Sequence, residues 1–151
     1  MNGTDVANPL DDAIRLAVDA HRGQLDKAGA PYILHPLRVM ATQPDEPRQI
    51  AAVLHDVVED CGIPLETIAD HFGMLVAEAV DALTKREDED YDAFITRCAR
   101  NPIARDVKRA DILDNLDLSR LPVVTERDEV RAAKYQRALA QLDATSAPRP
   151  R

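Results

Sequence analysis

Apolar residues along the chain recur at helical rather than alternating spacing, and proline and glycine punctuate them. Asn8-Pro9 pairs a capping side chain with a proline suited to the first helical position, and Asp11 and Asp12 complement the helix dipole. A helix over 9–22 follows, with Leu10, Ile14, Ala17, Val18 and His21 on one face. The stretch 23–32 reads as a loop, and Leu34-His35-Pro36 opens a short helix running towards Thr42. Pro44 and Pro47 break the chain. From Arg48 onward Ile50, Ala51, Val53, Leu54, Val57 and Val58 are apolar on more than one side, which predicts one helix buried in the middle of the fold. It carries His55, Asp56, Glu59 and Asp60. Further helices are predicted near 64–71, 75–85, 91–100, 102–117 and 126–142, separated by Gly73, an acidic stretch at 87–90, and Pro122. No strand alternation, internal repeat or linker interrupts this pattern. The expectation is an all-α, single-domain helical bundle spanning 1–151, with a core at about 9–143 and flexible ends at 1–7 and 146–151.

Composition narrows the partners. A chain of 151 residues suits one domain, and with aromatics at 3% its core must be built from Leu, Val, Ile and Ala. Acidic residues outnumber basic ones 27 to 19, a net charge of -8 that disfavours nucleic acid and anionic membrane surfaces. A small phosphorylated substrate stays compatible, because a metal ion and a few local cations can reverse the field inside one pocket. No apolar run approaches the roughly 20 residues of a membrane span, and residues 1–5 lack the blocks of a signal peptide, so a cytoplasmic protein is expected. Cys61 and Cys98 lack CxxC spacing and read as two reduced thiols.

Chemistry concentrates in the buried helix. At four-residue spacing His55 stacks on Glu59 and Asp56 on Asp60, so four polar groups crowd a narrow patch hemmed by Val53, Leu54, Val57 and Val58. Most acidic runs are merely the solvated edge of a helix. Here the apolar neighbours make such groups costly unless they are paired or hold a cation. His35 and Asp111, the latter with Asn115 one turn later, complete a set of two imidazoles and two carboxylates suited to Mn²⁺, Fe²⁺ or Zn²⁺.

His35, His55-Asp56 and Asp111 match in order and spacing the H…HD…D signature of HD-superfamily phosphohydrolases. Around them, Ala20-His21-Arg22-Gly23-Gln24, Pro31-Tyr32-Ile33-Leu34-His35-Pro36, the His55-to-Asp60 block, His71-Phe72-Gly73, Leu83-Thr84-Lys85 and Lys108-Arg109-Ala110-Asp111 resemble the alarmone-hydrolase domain of the RelA/SpoT family over about 13–118. The resemblance implies an HD-type bundle acting as a stand-alone small alarmone hydrolase. It further implies one Mn²⁺ on His35, His55, Asp56 and Asp111, with Glu59 and Asp60 as the catalytic pair. The reaction implied is removal of the 3′-pyrophosphate of ppGpp or pppGpp, a small-molecule nucleotide substrate.

Lys27 and Asn115 match nucleotide-contacting positions, and Tyr32 belongs to a block near the pocket. A solvated lysine is the alternative for Lys27, and packing is the alternative for Tyr32 and His21. Asp26 stands where the family usually has a base-stacking arginine, with Ala28 and Ile112 as further departures. These changes leave the metal set intact and hydrolysis expected, but leave open an adenine alarmone such as (p)ppApp; the alternative readings are an HD phosphohydrolase acting on another nucleotide such as NADPH and, without catalysis, a nucleotide-binding sensor.

Overall fold

A computed structural model describes residues 8–145; the ends expected to be flexible, 1–7 and 146–151, lie outside the described residues. The elements are α1 (Pro9–Ala20), α2 (Leu34–Ala41), α3 (Glu46–Val53), α4 (Val57–Cys61), α5 (Leu65–Phe72), α6 (Met74–Ala82), α7 (Tyr91–Ala99), α8 (Pro102–Asn115), a 3₁₀ turn (Leu118–Arg120) and α9 (Glu126–Thr145). The all-α expectation holds: among the described residues the only β pairing is an isolated bridge between Leu25 and Pro31 that pinches the 23–32 loop. No helix in the described residues is long and apolar enough to cross a membrane.

Helix starts follow from capping chemistry. Asn8 accepts from the Leu10 N–H at 2.9 Å, Asp45 from Arg48 at 3.0 Å, Asp90 from Ala93 at 2.8 Å and Asn101 from Ala104 at 2.9 Å. Proline occupies the first turn of α1, α3 and α8, where its missing N–H costs nothing. The ends move by a few residues from expectation. α1 stops at Ala20, α6 at Ala82 and α8 at Asn115, while α9 continues to Thr145.

α3 is the hub of the bundle, packed against α1, α2, α6 and α8, with Ile50, Ala51, Ala52 and Val53 all buried. One expectation is corrected here. The single helix predicted from Arg48 through Asp60 is two helices, broken at Leu54-His55-Asp56. The Ala52 carbonyl accepts from the His55 N–H at 3.3 Å and from His55 Nδ1 at 2.6 Å, displacing the Asp56 N–H that a continuous helix would bring to it. Leu54, fully buried, anchors the break in the core. His55 and Asp56 therefore sit in a turn between α3 and α4, and the expected stacking of His55 on Glu59 is lost. Asp56 keeps its relation to Asp60, whose N–H donates to the Asp56 carbonyl at 2.9 Å.

The segment between α6 and α7 is stapled by Arg97. Its guanidinium donates to Glu89 at 2.8 and 2.9 Å, to the Thr84 carbonyl at 2.7 Å and to the Asp81 carbonyl at 3.1 Å. The bonds from Arg97, and then the Arg86 N–H, hold the Glu89 carboxyl down to about 2, against an ordinary value of 4.5. A carboxyl depressed in the folded state stabilises it above the unfolded pKa, and that contribution disappears as pH falls towards the folded value. Glu89→Gln is accordingly expected to lower the melting temperature at pH 7, with the difference from wild type closing between pH 4.5 and 2; thermal unfolding across that range checks it.

Candidate metal centre

The site is built where the first turn of α2, the α3–α4 break and the middle of α8 meet. His35, 5% exposed, is carried by α2; His55, 2% exposed, by the break; and Asp111, 5% exposed, by α8. His35 Nε2 lies 2.8 Å from Asp111 Oδ1, and His55 Nε2 lies 3.4 Å from the same oxygen. One ligand atom from each of the three falls within 4.8 Å of the others. Asp56 joins through His55, its Oδ2 lying 3.2 Å from His55 Nε2.

Which nitrogen of each ring carries the proton follows from the partners. His55 Nδ1 faces the Ala52 carbonyl, and His35 Nδ1 faces Asp114 Oδ2 at 2.6 Å; both partners only accept, so both Nδ1 atoms donate. In each neutral ring the Nε2 lone pair then points at carboxylate oxygen. His55 Nε2 is buried without a hydrogen-bond partner of its own. Such an arrangement is stable only with a proton or a cation between the groups, and two imidazole nitrogens with two carboxylates are a donor set that a divalent ion fits.

The charges agree. Burial works against ionising Asp111, yet Lys108, with Nζ 2.8 Å from Oδ2, and the two imidazoles outweigh it and hold that carboxyl well below the usual range. Burial equally opposes protonation of His55, and Asp56 and Asp111 overcome it, raising that imidazole well above its ordinary value. The Lys108 side chain, 13% exposed, lies beside Asp111, with its ammonium 5.1 Å from the Phe94 ring centroid.

The remaining predicted residues divide. Tyr32 directs its hydroxyl to Asp56 Oδ2, and its ring stacks obliquely between His21 and His35; its first duty is to hold a carboxylate. Asp60 is pushed up to about 6 by burial and then by the carboxylates of Asp56 and Glu59. Glu59 uses Oε1 to accept from the Lys85 N–H at 3.0 Å. A cavity of about 220 Å³ opens beside His35, lined by Asp26, Lys27, Arg38, Asn115, Arg131 and Tyr135 among others. Asp26 uses Oδ1 to accept from the Ala28 and Ala30 N–H groups, both at 2.9 Å, so it shapes the loop as well as lining the cavity. Lys27 lies 3.9 Å from Asp128, and Asn115 Nδ2 donates to Asp111 Oδ1 at 3.3 Å.

Sequence reasoning missed Asp114, Arg38 and Lys108 as members of the site. A signal was present: Lys108 precedes Asp111 by three residues, Asp114 follows it by three, and Arg38 follows His35 by three, so each lies one helical turn from a predicted ligand.

The HD domain family matches residues 13–116, a stretch that includes all of α1 to α8 except the first turn of α1. The chain belongs to the HD-domain family. An HD domain suggests a divalent metal, and the His35, His55 and Asp111 cluster is a possible site for one. Among similar proteins is one from Mycobacterium leprae named a probable GTP pyrophosphokinase, 37% identical over 143 residues, covering 86% of this chain and 18% of the relative. A protein of Aquifex aeolicus named guanosine-3′,5′-bis(diphosphate) 3′-pyrophosphohydrolase is 34% identical over 122 residues, covering 73% of this chain and 18% of the relative. The chain thus spans less than a fifth of the length of these relatives. A solved structure described as "A metazoan ortholog of SpoT hydrolyzes ppGpp and plays a role in starvation responses" superposes with a TM-score of 0.78 at 27% identity, covering 96% of this chain and 91% of that one. The HD domain here is homologous to those of RelA/SpoT (p)ppGpp hydrolases.

If a divalent ion occupies the cluster, Mn²⁺ at 100 times its Kd should raise the unfolding free energy by about 2.7 kcal/mol. EDTA should remove that increment, as should His55→Ala. Thermal unfolding with and without metal is the measurement, and an increment that survives in His55→Ala would place the ion elsewhere.

Proposed function

We propose that this chain is a metal-dependent alarmone 3′-pyrophosphohydrolase, converting ppGpp or pppGpp to GDP or GTP and pyrophosphate. The observation that carries this reading is the convergence of His35 Nε2, His55 Nε2 and Asp111 Oδ1 next to a cavity whose lining includes Lys27, Arg38, Arg120 and Arg131, each beside an aspartate. The whole-protein names of the relatives point both ways, to a pyrophosphokinase and to a hydrolase, but each refers to a chain of which this one matches under a fifth. The structure matched over nearly its whole length is that of a ppGpp hydrolase, and it supports the hydrolytic reading.

His35, His55, Asp56 and Asp111 would hold the ion, which we assign as Mn²⁺ in preference to Fe²⁺ or Zn²⁺. A divalent ion there supplies a water of lowered pKa and polarises a phosphoryl oxygen. Tyr32 fixes Asp56 by donating to Oδ2, and Lys108 fixes Asp111 through its other oxygen, so both carboxylates are orientated before substrate arrives. Asp60, with a carboxyl near 6, takes the proton of the attacking water near neutral pH. Glu59, steadied by the Lys85 N–H, keeps its second oxygen to orient that water. Lys27 and Asn115 contact the nucleotide, and Asp26 and Tyr32 complete the wall around it. A soluble nucleotide substrate of this kind fits a cytoplasmic enzyme.

Incubating the chain with Mn²⁺ and, in parallel, ppGpp, pppGpp, ppApp and NADPH tests the reading, with products identified by chromatography. Pyrophosphate and GDP from ppGpp are expected; orthophosphate from NADPH as the main product would replace the substrate assignment, and no turnover of any of them would replace the enzyme by a sensor. Asp60→Asn should lower kcat by about 10²- to 10⁴-fold with Mn²⁺ affinity kept.

A further inference from the structure

The metal-ligand candidate His35 does not end at its own ring. Its Nδ1 donates to Asp114 Oδ2 at 2.6 Å, and Asp114 is itself gripped from the far side by Arg38, whose Nε and Nη2 donate to the two carboxylate oxygens at 2.8 and 3.0 Å. Arg120 adds a third hold: its Nη2 donates to the Asp114 carbonyl at 2.9 Å and lies 3.5 Å from Oδ1. The Asp114 side chain is 13% exposed, while those of Arg38 and Arg120 are about a third exposed. This is a carboxylate in the cavity wall, largely shielded from solvent and fastened by cations that reach it from the surface.

Helical spacing explains the construction. Asp114 stands one turn after Asp111 on α8, and Arg38 one turn after His35 on α2, so α2 and α8 are joined twice in parallel. His35 to Asp111 is one rung; Arg38 to Asp114 is the next, and His35 is tied to both carboxylates. An imidazole left with a free Nδ1 can rotate or change tautomer, and either change turns Nε2 away from Asp111 or protonates it. A charged acceptor at Nδ1 prevents both and makes Nε2 a better donor to a metal ion. The acceptor must stay ionised and in place, which is what a bidentate guanidinium secures.

Resting on the metal-centre reading above, we propose that Asp114 is a positioning residue of that centre, fixing the tautomer and aim of His35, and that Arg38 acts on the metal site through Asp114, to which its hydrogen bonds go. Arg38 also lines the cavity beside the centre, so a simple cavity-wall residue is the alternative against which it must be tested.

The experiment is titration of the metal-free full chain with Mn²⁺ alone by calorimetry, with the melting temperature of each metal-free variant as a control for folding. Asp114→Asn keeps the shape and removes the charge; it should weaken Mn²⁺ binding about 10- to 100-fold. Arg38→Gln should fall between wild type and Asp114→Asn, Arg38→Lys should recover part of the loss, and Arg38→Gln combined with Asp114→Asn should be no weaker than Asp114→Asn alone. Variants that melt lower but bind Mn²⁺ as wild type does would make the network purely structural and overturn the proposal. Additive losses in the double variant would overturn the part that routes Arg38 through Asp114. Should Asp114→Asn fail to fold, Arg38→Gln, which leaves the carboxylate in place, decides the matter by its Mn²⁺ affinity. Wild type that binds Mn²⁺ and hydrolyses ppGpp beside unaffected variants sinks this inference alone, whereas wild type that binds no Mn²⁺ sinks the metal-centre reading with it.

Discussion

Two imidazole Nε2 atoms aimed at one oxygen of Asp111 are the constraint around which the rest of the molecule is arranged. In water such groups would turn apart; here α2, the α3–α4 break and α8 hold them together in the interior. The cost of burying them is met on every side. Ala52 and Asp114 take the Nδ1 protons, Lys108 faces the second oxygen of Asp111, and Tyr32 donates to Asp56. Each of these contacts satisfies one group of the cluster while leaving the two Nε2 atoms directed inward. A core of small and branched side chains, rather than large aromatic ones, lets three helical segments approach closely enough for this.

Much of the fold was legible because its signals are local. A capping side chain before a proline needs no tertiary information, and α1 and α8 begin where Asn8-Pro9 and Asn101-Pro102 announce them. The all-round apolar run at 50–54 correctly marked the central helix, since only a fully surrounded element tolerates it. The break after it was not legible. Nothing in Leu54-His55-Asp56 opposes a helix; the interruption comes from a side-chain bond of His55 to the Ala52 carbonyl, which depends on where the ring is drawn by Asp56 and Asp111. The residues of the HD pair were therefore recognised while their geometry was misread, and with it the partnership of His55 and Glu59.

The same division runs through the site. Residue types that bind metal identify themselves by chemistry, but the groups that hold them do not. Asp114, read from sequence as one more acidic residue after Asp111, is the partner of His35, and Arg38 is indistinguishable from a surface arginine until α2 and α8 are laid together. Asp26 shows the reverse. It stands out as an anion at a position where the RelA/SpoT resemblance leads one to expect a cation, yet one of its oxygens serves the backbone of its own loop.

Charge balance links the cluster to the class of substrate proposed for it. A net charge of -8 over the chain would repel a polyphosphate, so attraction has to be local. Within the cluster the carboxylates of Asp56 and Asp111 together match a divalent ion, and Asp114 is matched by Arg38. Lys108 offsets the remaining carboxylate beside the centre, that of Asp60. Its ammonium is held against Asp111 and the Phe94 ring, and the cavity beside His35 is lined by other residues. With the ion in place these charges would cancel, so a phosphate entering beside His35 would meet a neutral cluster on a protein whose net charge is -8.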